Sequence, residues 1–473
     1  MKKKSDILIL ARGNRCAVVG VGISNIPLID FLLSEGATVV AYDEKSPEKM
    51  ADTVAYLKEK GVSLVLGEGA FDNIPEGVIF RSPGVRPDKG GLSGAVEKGA
   101  HLTSEMELFF ELCPAKKYAV TGSDGKTTTT TLTHLFLSEQ KKREGATAFV
   151  GGNIGAPLLP YAYEMTERDA AVLELSSFQL MGKWCEADAV AITNVTPNHL
   201  NWHTDMAEYI DAKKGIVGKR TKRVVLNAEN DICASFDFGE RDYVYFSSKK
   251  TSYAEFSLKR GERAIFVRDG MMICADGESE KEILAVKDIK LPGKHNIENY
   301  MTAIALTSGE VDLDIYREVA MSFGGVAHRL ELVATVDGVK YYNSSIDSSP
   351  TRTAAALSAL DVKPIIICGG AEKGISFDGL AEALAKRAKA VVLNGATRFK
   401  MLDAINKNAD CDSLKVEVRE TLSEAIECAR EIANEGDVVL LSPAATSFDQ
   451  FKNFEERGEF FKSTVLSWIS NEN

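Results

Sequence analysis

The segment TGSDGKTT, residues 121–128, combines residue types that can bind phosphate. Residues 118–120 before it are apolar and predict the end of a buried strand, and residues 129–137 after it predict a helix. Glycines between a strand and a helix let backbone N–H groups close around an anion at the positive end of that helix. Lys126 supplies a cation for the terminal phosphates, and the Thr127 hydroxyl is placed for Mg²⁺. The segment therefore predicts a nucleoside triphosphate site.

One position departs from the general P-loop pattern. The pattern has a further glycine at position 120, where this chain has Val120, so the loop is a shortened variant. A Gly-Lys-Thr run that occurs in a loop by chance is the alternative interpretation. The strand, the glycines and the helix are in register around residues 121–128, and this context favours a functional loop.

A carboxylate within an apolar run is the second candidate for chemistry. Glu174 lies in VLELSSFQ, residues 172–179, which otherwise begins as a buried strand. A buried and unpaired charge is costly, so we expect Glu174 to have a cationic partner. Mg²⁺ is the natural partner if this strand ends beside the phosphate loop. A Glu that is hydrogen-bonded to a neighbouring helix is the alternative.

Several further polar residues stand where ligands are bound in α/β proteins. His199 follows a predicted strand, which is the usual place for ligand contact in an open sheet, although an isolated His is more often structural. Lys213 and Lys214 lie on a predicted helix, where a solvated basic turn is the alternative. Asn296 precedes a helix that carries Asn299 one turn along, and both are suited to amide contacts with an adenine edge.

The elements that must position these residues form three segments, each opening with an α/β pattern. In the first, residues 16–19 predict a strand, Gly20 and Gly22 follow it, and the next strand ends at Asp43. This is a dinucleotide-fold opening with an acid placed to meet a ribose or a base edge. Position 25 is Asn instead of the third glycine of the full fingerprint, so a purely structural βαβ turn is an equal alternative.

The second and third segments repeat the alternation. The second starts near Ser104, carries the phosphate loop and later holds short strands, with a hairpin turn at Asp269 and Gly270. The third starts near Val326. Its predicted elements are strands at 364–368, 390–393 and 438–441 and helices at 377–388, at 422–433 and at the C-terminus. Alternating strands and helices predict an α/β fold of parallel sheets covered on both faces.

Composition bounds the class of protein. A length of 473 residues corresponds to about three domains at ~150 residues each, and 45% hydrophobic with 26% charged residues is ordinary for a soluble globular chain. The net charge of −12 argues against nucleic acid or an anionic membrane as a partner. The apolar run at 7–10 is too short for a signal peptide, and no stretch approaches the ~18 apolar residues of a membrane span. Eight scattered cysteines predict a reducing cytoplasm.

Several motifs occur in the order and spacing of the Mur ligases, and the chain resembles that family over almost its whole length. The motifs are TGSDGKTT at 121–128, LELSSFQL at 173–180, NVTPNH at 194–199, GKHN at 293–296 and AHR at 327–329. GGAEK at 369–373 and SPAATSFDQFKNFEERG at 442–458 resemble the member that adds D-glutamate. The DNPR-type run of the sister enzymes that add diaminopimelate or lysine is absent from this sequence.

The resemblance implies a role for each matching residue. It implies a Rossmann-like UDP-sugar domain at 1–104, a central P-loop ATPase-type domain at 105–325 and a C-terminal Rossmann-like domain for the amino acid at 326–473. The UDP-sugar would contact Gly22, Ser24, Asp43, Ser82, Gly84 and Asn153. ATP would contact Gly122, Ser123, Asp124, Gly125, Lys126, Thr127, Thr128, Asn296, Asn299, His328, Arg329 and Asp347. D-glutamate would lie among Ser348, Lys373, Ser447 and Phe454, with Lys373 pairing its carboxylate.

The implied chemistry is ATP-dependent amide ligation in cytoplasmic peptidoglycan precursor synthesis. ATP would phosphorylate the L-alanyl carboxylate of UDP-N-acetylmuramoyl-L-alanine, and the D-glutamate nitrogen would attack the acyl phosphate. The catalytic residues would be Lys126, Glu174, His199 and Lys213. Mg²⁺ would occupy two sites, with Thr127, Glu174, His199 and Lys213 as ligands. CO₂ would convert Lys213 into a carbamate, since a cationic amine cannot bind a metal; Lys214 is the alternative. The family implies a monomer, and the net charge already argues against a membrane or nucleic-acid partner.

Two positions depart from the family pattern. Ser344 stands where an acid is usual, with Asp347 three residues on as a substitute, and Asn201 stands where Asp is commoner. One rival is another Mur-type or folylpolyglutamate-type ligase that adds a different amino acid. A second, motivated by these departures, is a homologue that binds ATP and a UDP-sugar without ligating. A nicotinamide dehydrogenase is disfavoured because the glycine fingerprint is incomplete and a phosphate loop follows.

Overall fold

The computed structural model describes residues 5–22, 24–182, 185–200, 202–371, 376–411 and 414–470. The chain divides into two compact units. The first unit comprises Met1–Val286 and Glu298–Val319, and the second comprises Lys287–Ile297 and Ala320–Asn473. The described residues form three separate sheets, and the three domain boundaries drawn from the sequence stay a prediction.

The first sheet of the first unit is parallel throughout and has five strands. They are β1 (Arg15–Val19), β2 (Thr38–Asp43), β3 (Ser63–Leu66), β4 (Val78–Arg81) and β5 (His101–Thr103), in the order β3-β2-β1-β4-β5. Its helices are α1 (Asp6–Ala11), α2 (Asn25–Ser34), α3 (Ala51–Glu59), α4 (Gly90–Glu97) and α5 (Glu105–Leu112). The strand order reverses between β1 and β4, and an open α/β sheet binds ligands at such a point.

The second sheet of the first unit carries the phosphate loop. Its strands are β6 (Lys116–Thr121), β7 (Ala148–Gly152), β8 (Ala170–Glu174), β9 (Ala189–Ile192), β10 (Arg223–Asn227), β11 (Asp242–Ser247), β12 (Arg263–Arg268), β13 (Met271–Ala275) and β14 (Glu280–Ala285). The order is β14-β13-β12-β11-β10-β9-β6-β8-β7, parallel from β7 to β12 and antiparallel through β13 and β14. Helices that follow these strands are α6 (Lys126–Arg143), α7 (Ser177–Leu180), α8 (Met206–Lys214) and α9 (Asp231–Ala234).

The predicted hairpin at Asp269 and Gly270 is confirmed. It joins β12 to β13, and the two turn residues have φ values of 51° and 75°. A two-residue hairpin loop of type I′ needs positive φ at both central positions, which the Asp-Gly pair tolerates. Two further helices, α10 (Lys294–Thr307) and α11 (Leu313–Ser322), contribute residues to both units.

The sheet of the second unit is mostly parallel. Its strands are β15 (Glu331–Val336), β16 (Val339–Asn343), β17 (Ile365–Gly369), β18 (Ala390–Asn394), β19 (Lys415–Val418) and β20 (Val438–Leu441), in the order β15-β16-β20-β17-β18-β19. Only the β15–β16 pair of these strands is antiparallel. The helices are α12 (Pro350–Ala359), α13 (Asp378–Arg387), α14 (Arg398–Asn406), α15 (Leu422–Ile432) and α16 (Phe454–Ser470). Apolar clusters cover both faces, so the predicted α/β class is confirmed.

Short 3₁₀ segments connect several of these elements, at Pro47–Met50, Leu159–Tyr161, Tyr253–Phe256, Val286–Asp288 and Ala409–Cys411. The boundaries expected in the second unit agree with the structure to within about a residue. Across the described ranges, no helix has both the length and the apolar content needed to cross a membrane.

One continuous core joins the first two sheets. Phe31 on α2, Phe109 on α5 and Leu159 all belong to it, and the Phe31 ring lies 5.5 Å from the Tyr163 ring. Protein interiors are close-packed and transmit displacements, so this core fixes the loops of the first sheet relative to those of the second.

Helix α6 is longer than its apolar periodicity predicts. The expected span was residues 129–137, whereas the structure begins the helix at Lys126 and ends it at Arg143. Residues 126–128 belong to the phosphate-binding motif and carry no apolar signal, yet they form the first turn. The motif lysine and threonine therefore stand on the N-terminal turn of the helix, where its positive dipole end lies.

We predict that Phe136→Ala destabilises the chain by about 3–5 kcal/mol, the usual range for a fully buried phenylalanine. Phe136 is fully buried on α6 and meets the Tyr316 ring edge-on at 4.8 Å. The measurement is the free energy of unfolding from urea titration. Phe399→Ala is the matched control because Phe399 is 62% exposed, and equal losses in the two variants would contradict the prediction.

Candidate active site

The phosphate loop, residues 122–125, has a backbone that only glycine adopts easily at its two ends. Gly122 has φ 152° and Gly125 has φ 78°, and Gly125 caps helix α6. A Cβ on Gly122 would lie 1.9 Å from the Thr193 Oγ1 atom, and one on Gly125 would lie 2.4 Å from the Asn299 Oδ1 atom. The loop is therefore closed tightly by its neighbours, as a backbone anion cradle requires.

The strand β9 and the residues after it brace this loop from one side. The Asp124 N–H donates to the Asn194 Oδ1 atom at 2.8 Å, and the Thr193 hydroxyl donates to the Asp124 carbonyl at 2.5 Å. The Ser123 hydroxyl donates to the Thr196 carbonyl at 2.9 Å. The NVTPNH motif therefore holds the loop in shape, a contribution that its sequence alone does not reveal.

Lys126 turns back over the loop that precedes it. Its ammonium donates to the carbonyls of Gly122 and Ser123, each at 3.0 Å. These carbonyls keep the cation at the mouth of the anion cradle. Thr127 and Thr128 follow on the first turn of α6, and Thr128 is buried.

Glu174 lies at the carboxyl end of β8, directly beside β6. Its side chain is 2% exposed, and its Oε1 atom accepts a hydrogen bond from the Asn153 amide at 2.9 Å. Among the described residues, its Oε2 atom has no hydrogen-bond partner. The bond comes from a loop residue and not from a neighbouring helix, and one buried carboxylate oxygen is left to bind a ligand.

The Glu174 Oε2 atom fits Mg²⁺, which prefers oxygen ligands and usually combines one or two carboxylates with phosphate oxygens and water. In the parts of the chain that the structure describes, no group of three His, Cys, Asp or Glu side chains could hold a metal ion by itself.

Lys213 and Lys214 are adjacent on α8 but occupy different surroundings. Lys213 is 1% exposed, and its Nζ atom donates to the Gly122 carbonyl at 2.6 Å and lies 4.5 Å from the centre of the Tyr209 ring. Lys214 lies over the Phe236 ring instead, at 5.0 Å. Burial lowers the pKa of Lys213 well below its ordinary value, and the charge of Lys126 lowers it further. A solvated basic turn therefore does not describe Lys213.

His199 lies in the loop after β9 and has φ 56°, an uncommon value for a residue other than glycine. The residue is exposed, and its ring meets the Phe178 ring edge-on at 5.0 Å. Phe178 belongs to the same LELSSFQL motif as Glu174. The two candidate metal-binding segments are therefore in contact, whereas Asn201 lies outside the described residues.

The expected UDP-sugar residues other than Asn153 lie at the carboxyl end of the first sheet, whereas Asn153 follows β7 of the second sheet. Asp43 accepts hydrogen bonds from the backbone of Val21 and of Lys45, at 2.8 and 2.9 Å. Gly20 has φ 82°, and a Cβ there would lie 2.8 Å from the Cβ of Ser82. Asn25 stands where the fingerprint has its third glycine and donates to the Gly20 carbonyl at 2.7 Å, so a side chain closes this turn.

A cavity of about 370 Å³ opens beside these residues, and Gly84 contributes to its wall together with Glu44, Phe71, Val85, Arg86, Asp88 and Lys89. Of the other expected contacts, Gly22 and Ser24 lie in the loop before α2, with Ser24 as the residue that caps it. These positions form one edge of the sheet, on either side of the point where strand order reverses.

The expected nucleotide contacts are divided between the two units. Asn299 belongs to the first unit and accepts a hydrogen bond from the Thr129 hydroxyl at 3.3 Å, whereas Asn296 belongs to the second and donates to the Pro292 carbonyl at 2.5 Å. His328 and Arg329 also lie in the second unit. His328 is buried, with φ 61°, and its Nδ1 atom accepts from the Asn343 amide at 3.0 Å.

Asp347, the expected substitute for an acid at position 344, is buried in the second unit close to Ser344. Its Oδ2 atom accepts from the Ser442 hydroxyl at 2.9 Å. Burial raises its pKa, and hydrogen bonds from Ser344 and Ser442 oppose the rise. The carboxyl group is therefore held by two hydroxyl groups.

The residues expected around D-glutamate all belong to the second unit. Ser447 is buried, and Phe454 begins α16 and meets the His328 ring edge-on at 6.1 Å. Ser348 lies just before α12 and is partly buried. Lys373, the expected partner of the substrate carboxylate, lies outside the described residues.

Sequence reasoning missed a buried guanidinium in this region. Arg457 on α16 is 3% exposed and donates to Ser345 Oγ, the Ser345 carbonyl and the Ala445 carbonyl, at 2.9–3.1 Å. Burial lowers its pKa to about 10. In the sequence, Arg457 stands within the charged run EERG, as an exposed arginine would. The sequence therefore offers no signal that separates a buried arginine from an exposed one at this position.

A glycine-lined anion cradle at the end of a parallel strand, with a carboxylate and a lysine buried beside it, defines an α/β nucleotide-binding protein. Comparisons with known proteins narrow this class. Profiles of the Mur ligase middle domain and of the Mur ligase glutamate ligase domain match residues 120–307 and 328–445. The chain belongs to the Mur ligase family.

Curated relatives match along nearly the whole chain. A UDP-N-acetylmuramoylalanine--D-glutamate ligase of Acetivibrio thermocellus is 44% identical over 98% of this chain and 99% of its own. The proteins of the same name from Ruminiclostridium cellulolyticum and Clostridium novyi are each 45% identical over 96% of this chain and 97% of their own.

Solved structures support the fold alone. The UDP-N-acetylmuramate-alanine ligase of Thermotoga maritima has a TM-score of 0.55 at 20% identity and covers 96% of this chain and 99% of its own. A pseudomurein peptide ligase type C of Methanothermus fervidus has a TM-score of 0.52 at 17% identity, over 96% of this chain and 100% of its own.

We predict that Gly125→Ala lowers the affinity for Mg·ATP by about 10-fold or more, because the new methyl group would displace Asn299 and strain a left-handed backbone. Titration calorimetry measures the affinity. Gly145→Ala is the matched control, since Gly145 also has a positive φ, of 67°, but a Cβ there meets only an arginine tip at 4.0 Å. Equal ATP affinity in both variants would contradict the prediction.

Proposed function

We propose that the chain is an ATP-dependent ligase that adds D-glutamate to UDP-N-acetylmuramoyl-L-alanine in peptidoglycan precursor synthesis. The observation that carries the proposal is similarity at 44–45% identity, over almost the full length, to proteins named for that reaction. The buried loop, carboxylate and lysine of the first unit supply chemistry suited to it. A cytoplasmic location and a monomeric state are part of the same proposal.

The reaction needs an activated acid, because a carboxylate is a poor electrophile for an amine. The L-alanyl carboxylate attacks the γ-phosphorus of ATP and ADP leaves, which forms an acyl phosphate. The amine of D-glutamate then attacks the acyl carbon, loses a proton and expels inorganic phosphate. Lys126 and the loop N–H groups align and neutralise anions that would otherwise repel each other.

Thr127, Glu174 and His199 would hold Mg²⁺, with Glu174 offering its Oε2 atom, which has no partner among the described residues. Bound Mg²⁺ would neutralise phosphate charge and polarise the transferred group. The chain's own part is to orient Glu174, and the Asn153 amide does this through a 2.9 Å hydrogen bond.

Lys213 is the residue we propose for carbamate formation. A lowered pKa supplies the neutral amine, which is the form that adds to CO₂. The Nζ–C bond forms, one amine proton passes to solvent, and the product is an anionic oxygen group beside the phosphate loop. Its hydrogen bond to Gly122 favours Lys213 over Lys214 for this role.

The UDP-sugar, D-glutamate and ATP are each proposed to bind a particular set of residues. The UDP-sugar would bind the first-sheet edge at Gly22, Ser24, Asp43, Ser82 and Gly84 and would also contact Asn153. D-glutamate would bind Ser348, Lys373, Ser447 and Phe454. Within the first unit, ATP would use the loop residues 122–128 and Asn299. The contacts of ATP with Asn296, His328, Arg329 and Asp347 of the second unit stay a prediction from the family resemblance. The proposed domain boundaries remain 1–104, 105–325 and 326–473.

Incubation with UDP-N-acetylmuramoyl-L-alanine, Mg·ATP and a panel of amino acids tests the reaction. We expect ADP, phosphate and one ligated product, with D-glutamate preferred, and Lys126→Ala should lower turnover by at least about 10²-fold while UDP-sugar binding persists. Preference for another amino acid would favour a different ligase of the family. Tight ATP and UDP-sugar binding with no product would favour a binding protein that no longer ligates.

We predict that Lys213→Ala removes most turnover and that short carboxylates such as formate or acetate restore part of it, because they replace the missing carbamate oxygens. Phosphate release measures both effects. Lys214→Ala is the matched control and should keep near-normal turnover, since Lys214 lies over Phe236 and not over the loop. Full activity of Lys213→Ala without added carboxylate would exclude the carbamate role.

A further inference from the structure

Two arginines stand at the ends of the loop of residues 82–85, hereafter the sugar loop. Arg81 is 2% exposed, and one of its terminal nitrogens donates to the Val85 carbonyl at 2.6 Å. Its other terminal nitrogen donates to the Phe178 carbonyl at 3.2 Å. Arg81 therefore closes the sugar loop upon itself and attaches it to the segment that carries Glu174.

Arg86 attaches the other end of the sugar loop to the segment after His199. It donates to the Trp202 carbonyl at 2.6 Å and binds the Glu208 carboxylate through two nitrogens, at 2.9 and 3.1 Å. The guanidinium also lies 5.2 Å from the centre of the Trp202 ring and pairs with Asp88 at 2.7 Å. Such a two-pronged contact fixes orientation as well as distance.

The contacts of Arg86 continue inward through a chain of hydrogen bonds. The Arg86 contact, with others, lowers the pKa of Glu208 to about 2, so this carboxylate only accepts. The His203 Nδ1 atom, 3.1 Å away, must then donate to Glu208. The Nε2 atom of the neutral ring is left to accept from the Ser177 hydroxyl at 2.9 Å. Burial lowers the pKa of His203, which favours this neutral form.

This network of contacts connects the sugar loop to the two segments that carry the candidate metal-binding side chains. Phe178 is four residues after Glu174, and Trp202 is three residues after His199. The Phe178 ring lies 4.3 Å from the Trp202 ring and 5.0 Å from the His199 ring. The sugar loop is therefore bonded to both segments that carry the candidate metal-binding side chains, and all of these residues belong to the first unit.

We propose that Arg86 is a positioning residue that couples occupancy of the sugar loop to the placement of the His199 segment. The inference rests on the proposed function, in which Ser82 and Gly84 contact the UDP-sugar. A substrate that shifts the sugar loop moves Arg86, and Arg86 moves the Trp202 carbonyl and Glu208 with it. Misplacement of a reacting group by about 1 Å costs about 10²-fold in rate.

Trp202 provides a readout that does not depend on turnover. Its ring stacks on Arg86, so its fluorescence should change when UDP-N-acetylmuramoyl-L-alanine binds without ATP. A Trp202→Phe chain gives the background from the other two tryptophans. Arg86→Gln should lose the fluorescence change. Arg86→Lys keeps the positive charge but not the two-nitrogen contact with Glu208, so it should retain part of the change.

The same variants are then assayed for ligation. We expect Arg86→Gln to lower kcat by about 10- to 100-fold with little change in KM for ATP, and Arg86→Lys to recover part of kcat. Arg268→Gln is the matched control, because Arg268 lies over the Phe266 ring and forms an exposed ion pair with Glu280, away from the sugar loop but in the same unit. Glu208→Gln keeps the shape of the partner and replaces Arg86→Gln if that chain fails to fold.

Three results would overturn the inference: an unaltered kcat in Arg86→Gln, a fluorescence change that persists in that variant, or an equal loss in Arg268→Gln. Failure of the proposed function is distinguishable from these. If the unsubstituted chain binds the UDP-sugar but forms no product, ligation is wrong, and the coupling is then decided by the fluorescence change alone.

Discussion

The parallel register of three neighbouring strands is the constraint on which the candidate site depends. In the second sheet β6 lies between β8 and β9, with Val120 opposite both Glu174 and Ala191. Because parallel strands end at the same edge, the phosphate loop, the carboxylate and the Thr193 loop must leave the sheet together. A shift of β8 by one residue would turn Glu174 to the other face of the sheet and separate it from the loop.

This arrangement leaves two buried ionisable side chains with few hydrogen-bond partners. Glu174 has a carboxylate oxygen with no partner among the described residues, and Lys213 is buried with a carbonyl as its hydrogen-bond acceptor. Leaving a buried charge without a full set of partners destabilises a fold, so such groups are retained where a ligand completes them. The fold therefore leaves one buried carboxylate oxygen and one buried amine beside the phosphate loop, where a ligand can contact them.

The sequence predicted the parts of this site whose chemistry is local. The glycines of the phosphate loop, the acid at the end of β8 and the Asp-Gly hairpin each depend on a few adjacent residues, and the α/β class follows from apolar periodicity. The first turn of α6 was not predicted, because residues 126–128 carry a binding motif and no apolar pattern. The β15–β16 hairpin was also missed. In the structure its turn residue Asp337 has φ 51°.

What the sequence could not show is how a polar residue far along the chain is satisfied. The type of a residue does not indicate whether it is buried. From the sequence alone, four residues of this network therefore look like solvated surface residues: Arg81, Arg86, His203 and Glu208. Each of them has at least one partner 26 to 122 positions away. The contacts of the two arginines cross between the first two sheets, which one core joins. Positioning groups of this kind need a fixed partner more than a particular chemistry, so they leave no local motif. The register of the sheet therefore explains which candidate site residues lie together, and the shared core explains which residues hold them.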